Sequence, residues 1–574
     1  MLRYSVFLFV LLFAVAFSSC NKMPKHAGYI PKDAMIVVGI NTKELSKKLA
    51  WNVLMGSKLL EELKTKTPES GQAAEGLGDA GIDALNTVFF YYTPSFAKGS
   101  YHYLTAIIPL SDAKKWESYI QKNFTTSIKQ ADKQKEALLE EGLYAAWNDE
   151  TAIVRKAYIA PPNKEQITDE PYAEDVHTPR NGAIGYDAVR LSADMKAAFT
   201  LLNENSITKD KRFSKLQTGG DDITLWMNYE VLMNNMNSYN GRSMMGGLAL
   251  GNNLWKDVAY AAGINLDKGA VHADMHYYVS EEMMKVYAKM GNKEADKNMI
   301  DRLPSQQINL LASAHISPEG IKASLEKMGV LGFMSLALVQ SNLTTDDVFQ
   351  SFTGDMAMAL SNFSIHPPAN NDSSAVAALQ DDWNMNYLFA LKIKDNEKFN
   401  KLLSYIKEQG ALTPINATTY QFAGNDALYV SVDKEFIVIS RKAEAGKDFL
   451  NGTHTTQPKP EIIKKEIYGH AMGMYIDIQS FLNHITLSPS SAEENEVLNE
   501  SKKLFKEIVI NGGEHKKEAF TFKAVLTLMN REENSLLQLL DYSFKINEIR
   551  KHYEKKEHPA ETAAPLAAEN ASFH

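Results

Sequence analysis

The chain has one cysteine, Cys20. A lone cysteine excludes a disulfide framework, cysteine–zinc sites and paired-thiol redox chemistry. The signatures of common chemistries are also missing. There is no Walker loop, dinucleotide fingerprint, nucleophile elbow, zincin helix or EF-hand loop. After Cys20 no apolar run is long enough to span a bilayer. Positive charge is in deficit, with a formal net charge of -9. A mildly acidic chain gains nothing from phosphate backbones, so nucleic acid is not an expected partner. What remains is 44% hydrophobic and 23% charged residues over 574 positions. That balance is globular, and the length exceeds one ordinary core.

The N-terminus carries the clearest local signal. Arg3 is followed by an unbroken apolar run from Val6 to Phe17, then Ser18 and Ser19. This order reads as a signal peptide over residues 1–19, too short for a transmembrane helix. Phe17-Ser18-Ser19-Cys20 resembles the lipobox at which bacterial lipoproteins are cleaved, with Phe17 in place of the usual leucine. The resemblance implies a diacylglyceryl thioether on Cys20 and an acylated new N-terminus. Several chains on one residue anchor stably, where one acyl chain does not. Asn21 is not the aspartate of the familiar inner-membrane retention signal. No acidic run follows Cys20. Both features point to the outer membrane, facing the periplasm. Residues 20–26 read as the lipidated tether.

The next signal is internal similarity between residues 27–285 and 303–549. Each part opens with a strand running into a capped helix. Met35–Ile40 leads to Asn41 as cap in the first, and Asn309–Ile316 leads to Ser317 and Pro318 in the second. Tyr103-Leu104 and Tyr387-Leu388 each begin a strand that leads to a helix behind Asp112 or Asp395. Two hairpins follow, turning near Asn148-Asp149 and Asp433-Lys434. Asn228 and Asp477 cap a further pair of helices. Residues 270–282 and 518–533 each read as a strand leaving into a helix. The expected fold class is therefore α+β: two tandem similar units, each a mainly antiparallel sheet with helices packed on one face. Residues 286–302 read as a charged connector crossed by few contacts. Residues 161–182, 236–253 and 365–382 read as loops, and 550–574 as a disordered tail.

The opening Ile30-Pro-Lys-Asp-Ala34, a β-branched strand and a helix, placed after a lipobox and ahead of this repeated order, resembles an uncharacterised two-repeat family of bacterial lipoproteins. That family is a domain of unknown function typical of anaerobic gut and oral bacteria. The resemblance implies an exported, anchored, duplicated protein. It carries no activity and no site residues.

Several residue groups invite a chemical reading. His272, Asp274 and His276 alternate along one strand and can converge on a metal. Val271, Ala273, Met275 and Tyr277 interleave with them, which reads as a wet face over a core face. The positions aligned in the second unit are Lys523, Val525 and Thr527, so no metal is assigned. Ser324 with Lys327, and Ser206 with Lys209, fit a serine–lysine spacing without its companion motifs, and Ser324 reads as helix surface. Met233, Met236, Met244 and Met245 could offer thioethers to Cu(I), but the first two fall at core spacing. Tyr91, Tyr92, Tyr101 and Tyr103 crowd behind Phe89 and Phe90, where alternation sends half of them inward. No cofactor is expected. A lipid tether, a repeated scaffold and no reactive constellation point to a non-enzymatic binding or scaffolding protein on the membrane, with an envelope protein or glycan as partner. The alternative is an envelope hydrolase acting on glycan or peptide through acidic residues.

Overall fold

The computed structural model describes residues 23–49, 79–94, 101–131, 133–159, 186–239, 255–366, 383–488 and 491–557. The expected signal peptide, Cys20 and the expected loop 161–182 lie outside the described residues, as do residues 240–253 and 367–382 of the other two expected loops and the expected tail from 558 onward; residues 236–239 are helical and Ile365 ends a strand.

Among the described residues twenty strands form one sheet. The first ten are β1 (Ile36–Asn41), β2 (Thr87–Thr93), β3 (Tyr101–Pro109), β4 (Lys129–Ala131), β5 (Gln134–Glu140), β6 (Leu143–Trp147), β7 (Thr151–Ile159), β8 (Ile223–Asn228), β9 (Ala259–Asp267) and β10 (Ala270–Tyr278). The last ten are β11 (Ile308–His315), β12 (Phe352–Ile365), β13 (Trp383–Ile393), β14 (Leu412–Pro414), β15 (Thr419–Phe422), β16 (Asn425–Val432), β17 (Phe436–Ser440), β18 (Met472–Asp477), β19 (Phe505–Lys516) and β20 (Ala519–Leu528). These strands pair antiparallel throughout. Across the sheet the first ten run 4-5-6-7-3-2-1-8-9-10. The last ten run 14-15-16-17-13-12-11-18-19-20. Each pairing in one set has its counterpart ten numbers away in the other.

The helix starts follow from short polar side chains that satisfy orphan amides. Asn41 accepts from the Glu44 amide and starts the helix Thr42–Lys48. Ser317 accepts from the Gly320 amide and starts Pro318–Lys327, with Pro318 in its first turn. Asp112 and Asp395 cap Ala113–Asn123 and Asn396–Glu408. Asn228 accepts from the Val231 amide, and Asp477 from the Ser480 amide. The hairpin turns match as well. Asn148 accepts from the Glu150 and Thr151 amides, and Asp433 from Glu435 and Phe436.

Helices lie on both faces of the sheet, not on one. Ala145 and Ala146 are adjacent in β6 and both fully buried. Ala145 packs with Trp116 and Ile120 of Ala113–Asn123. Ala146 packs with Leu191 and Met195 of Ala188–Phe199. Neighbouring residues of a strand point to opposite faces, so these two helices sandwich the outer strands. On the face shared by Ala146, Val37, Phe89 and Trp226 pack against Phe213 and Leu216 of Lys211–Gln217. The same face in the second half carries Leu311, Leu388, Val438 and Tyr475 under Lys297–Arg302, Ala443–Asn451 and Glu461–Glu466.

Three expectations about the boundaries need correction. Residues 297–302 are not a bare connector, because Met299 and Ile300 sit in the second core. The two halves are also joined directly. β10 pairs with β20 from Ala270↔Thr527 to Tyr278↔Ala519. A terminal strand left unpaired would expose a row of amides and carbonyls, and the partner strand supplies them. Residues 550–557 are helical too, as the end of Ser535–Glu557.

Candidate functional site

On the face opposite the main cores, the paired residues of the central strands are apolar row after row. One row runs Val38, Leu225, Ala262, Met275, Phe522, Gly512, Met472, Ala314, Met356 and Leu391. It crosses from one half to the other without a charged residue.

Within this face the second half holds a groove of about 290 Å³. Ala312 and Ala314 of β11 form its floor. Met356 and Met358 of β12 stand on one side, and Met472 and Met474 of β18 on the other. Register explains the shape. Ala314 pairs with Met356 and Met472, and Ala312 with Met358 and Met474. Phe389 stands beyond Met358, and Ile510 beyond Met474. In the first half, the residues between the flanking strands are larger. Val38 lies between Phe90 and Leu225, and Ile36 between Tyr92 and Met227. Alanine at both floor positions vacates what Ile and Val fill. The flexible thioether walls can close on a guest of irregular width. All strands here are paired on both sides, so no backbone edge is free for an added strand.

The groups singled out in the sequence fall elsewhere. His272 and Asp274 are exposed on the opposite face. The His272 Nε2 lies 3.9 Å from Asp267, and Asp274 faces Lys523 across the seam. His276 stacks on Tyr278 at 6.0 Å, and burial lowers its pKa. Among the described residues no group of three His, Cys, Asp or Glu is placed to hold a metal. Ser324 is buried, not on the helix surface. Its hydroxyl donates to the Gly320 carbonyl, while Lys327 pairs with Glu282. Ser206 starts a single 3-10 turn, its Oγ accepting from the Thr208 amide. Met233 is half-buried on the helix Tyr229–Tyr239, and Met244 and Met245 lie outside the described residues. Phe89, Tyr91 and Tyr101 point inward and Phe90 outward, as strand alternation requires.

Two polar clusters were not singled out. In the first half a cavity of about 470 Å³ lies beside Arg155, Tyr103 and Asp194. Arg155 donates to the Asp194 carbonyl (2.8 Å), the Tyr91 hydroxyl (2.9 Å) and Thr105 (3.2 Å), and lies 5.0 Å over the Tyr103 ring. The Tyr103 hydroxyl donates to the Asp194 carboxylate; burial first, and that bond second, push its pKa up. In the second half the Asp355 carboxylate is buried. It meets His315 Nδ1 at 2.8 Å, Lys293 at 3.0 Å and Thr353 at 2.8 Å. Burial opposes its charge, but these donors hold its carboxyl well below the usual range. Both clusters are internally satisfied and read as structure. A hydrolase would need convergent carboxylates in a cleft, one of them raised. Asp221 is raised by burial, with Asp274 and Asp222 as like charges nearby. Its carboxylate accepts from Asn265 and does not line the grooves described above.

No family model matches the chain, and no curated protein matches it. Solved structures described as crystal forms IV, I and III of TP0453 align at a TM-score of 0.25 and 7–8% identity. They cover 48% of this chain and 82–90% of their own. At that TM-score the likeness bears on neither fold family nor function.

Proposed function

We propose that this chain is a lipid-anchored envelope protein, two copies of one unit, whose second unit binds an apolar chain. The binding role rests on one observation: the alanine-floored, methionine-walled groove along β11. Its lining offers a guest no charge and no free backbone edge. A sugar would leave its hydroxyls unpaired there, at a cost of about 1–3 kcal/mol each. A polymethylene chain loses nothing, and gains about 0.8 kcal/mol for each CH₂ taken out of water. The ligand class is therefore a fatty acyl chain, its head group held outside. The matching strand orders and matching caps support the two-copy reading. The units would be residues 27–285 and 303–549, with the β10–β20 ladder as their seam. The lipobox-like Phe17–Cys20 supports the anchor, and Asn21 supports the outer membrane facing the periplasm.

The test fills the groove. Ala312→Ile with Ala314→Val restores the residue sizes of Ile36 and Val38. Native mass spectrometry should find an acyl lipid on the purified protein, and a fluorescent fatty acid should bind about tenfold or more weakly to the double variant. Equal binding by both proteins, with the double variant still folded, would remove the groove as the site. For the anchor, Cys20→Ala should leave the precursor uncleaved and release the protein from the membrane fraction.

A further inference from the structure

The connection between β11 and β12 carries three helices, Pro318–Lys327, Leu331–Val339 and Thr345–Phe349. The middle one has an unusual surface. Between Lys327 and Asp346 the sequence has no charged residue. Leu331, Met334, Ser335 and Leu338 form its half-buried side. The side facing water is Gly332, Phe333, Leu336, Ala337 and Val339. Phe333 is 66% exposed, Leu336 72% and Val339 73%. Its one hydroxyl is turned inward: Ser335 Oγ donates to the Leu331 carbonyl at 2.8 Å. A surface helix of a globular protein normally turns charged residues outward. This one is apolar on both sides.

The elements on either side of this helix are fixed in the fold. Gly329, at φ +73°, ends the preceding helix, a conformation that favours glycine. Thr344 and Asp347 form a capping box at the start of the next one. Lys322 pairs with Asp346, and Lys327 with Glu282, so the flanking charges are anchored in the fold.

We infer that the outer side of Leu331–Val339 inserts into the interfacial layer of a lipid bilayer. The inference rests on the proposed anchor at Cys20, which would hold the chain within reach of a leaflet. Nine residues make a helix about 14 Å long, too short to cross and suited to lying in the interface. No helix among the described residues is long and apolar enough to span a membrane. A protein partner is the less fitting occupant. A stable protein interface needs about 800 Å² on each side, with a polar rim. One short helix without polar groups supplies neither. A bilayer demands no shape complement and takes apolar side chains directly.

The experiment uses the mature chain with Cys20→Ser, so that no acyl chain contributes. Flotation with vesicles of phosphatidylethanolamine and phosphatidylglycerol should carry this protein upward, and high salt should not release it. Phe333→Ser, Leu336→Ser and Val339→Ser together should cut the floated fraction about tenfold or more. The three side chains are exposed, so circular dichroism and melting temperature should stay unchanged. The inference is overturned if the parent does not float. It is equally overturned if the triple variant floats as well as the parent, or if the variant alters only the oligomeric state. Flotation of the Cys20→Ser chain decides the helix, while the mass of Cys20 in the native protein decides the anchor, so the two can fail separately.

Discussion

Lys459 lies between Pro458 and Pro460 and is buried. Its ammonium donates to the backbone carbonyls of Asp301 (3.0 Å) and Leu303 (2.5 Å). Burial lowers its pKa to about 8, and the Asp301 carboxylate only partly offsets that. The unfolded chain therefore holds a proton that the folded chain has lost between pH 8 and about 10.5. Stability should rise with pH from 8 to 10, on the order of 1–3 kcal/mol from this group. Above pH 10 buried tyrosines oppose the trend, as burial pushes Tyr277 up to about 12. Urea midpoints across that range should climb for the natural protein and flatten for Lys459→Met. An unchanged slope in the variant would refute the assignment. His26 acts on the acid side. Burial lowers its pKa although its Nε2 donates to the Thr87 carbonyl at 2.5 Å and Asp83 lies nearby. Stability should fall as pH drops below about 6.5, and His26→Gln should remove that loss. Neither residue stands out in the sequence, because lysine and histidine read as surface there. The caps did stand out, since Asn41, Ser317, Asp112, Asp395, Asn228 and Asp477 act locally and need no tertiary partner. Ser324 was misread because spacing alone does not say which side of a helix faces inward.

At the scale of elements, alternation placed β1, β3, β6, β7 and β10 with their counterparts and the two hairpin turns, but not β4, β5, β9, β12, β14, β15 or β19. It also separated the wet from the apolar face of β10. It was not enough to show the groove. Ala312 and Ala314 become a floor only through the methionines on either side, and those arrive by register from distant strands: Met356 and Met472, beside Ala314, lie 42 and 158 residues away. The uncharged stretch from Met328 to Thr345 was visible in the sequence. Its exposure was not, since an apolar helix is ordinarily buried. The caps give a direct test at this scale. Asp112 accepts from Lys114 and Lys115, and Asp395 from Glu397 and Lys398. Each starts a helix that covers the outer strands, through Trp116 and Ile120 or through Phe399 and Leu403. Replacing either aspartate with alanine should cost about 1 kcal/mol, within a range of roughly 0.5–2. Asparagine should recover most of it, as it accepts the same bonds. Chemical denaturation of the four single variants decides this. If asparagine were as costly as alanine, the carboxylate charge and not the cap bond would be what matters.

For the whole molecule, the seam between β10 and β20 decides whether the halves behave as one body. A chain of two similar units joined by a connector would open in two steps. Here nine residues of β10 lie in register with β20, and Met275 faces Phe522 in the apolar row that crosses from one half to the other. Unfolding either half alone would strip its terminal strand from the other and expose paired backbone on both. The natural protein should therefore unfold in a single cooperative step. Its tryptophans make this measurable, because Trp51, Trp116, Trp147, Trp226 and Trp255 lie in the first half and Trp383 alone in the second. Fluorescence reports mainly on the first half, and far-ultraviolet circular dichroism on both. The two curves should coincide for the natural chain. Ala273→Pro places proline in the middle of β10, between Ile264 of β9 and Ala524 of β20. Proline there removes a ladder hydrogen bond and clashes, at about 3 kcal/mol or more. The fluorescence transition should then move to lower denaturant, while circular dichroism splits into two steps. Separate transitions in the natural protein, or a single shifted transition in the proline variant, would show that the seam does not set the coupling.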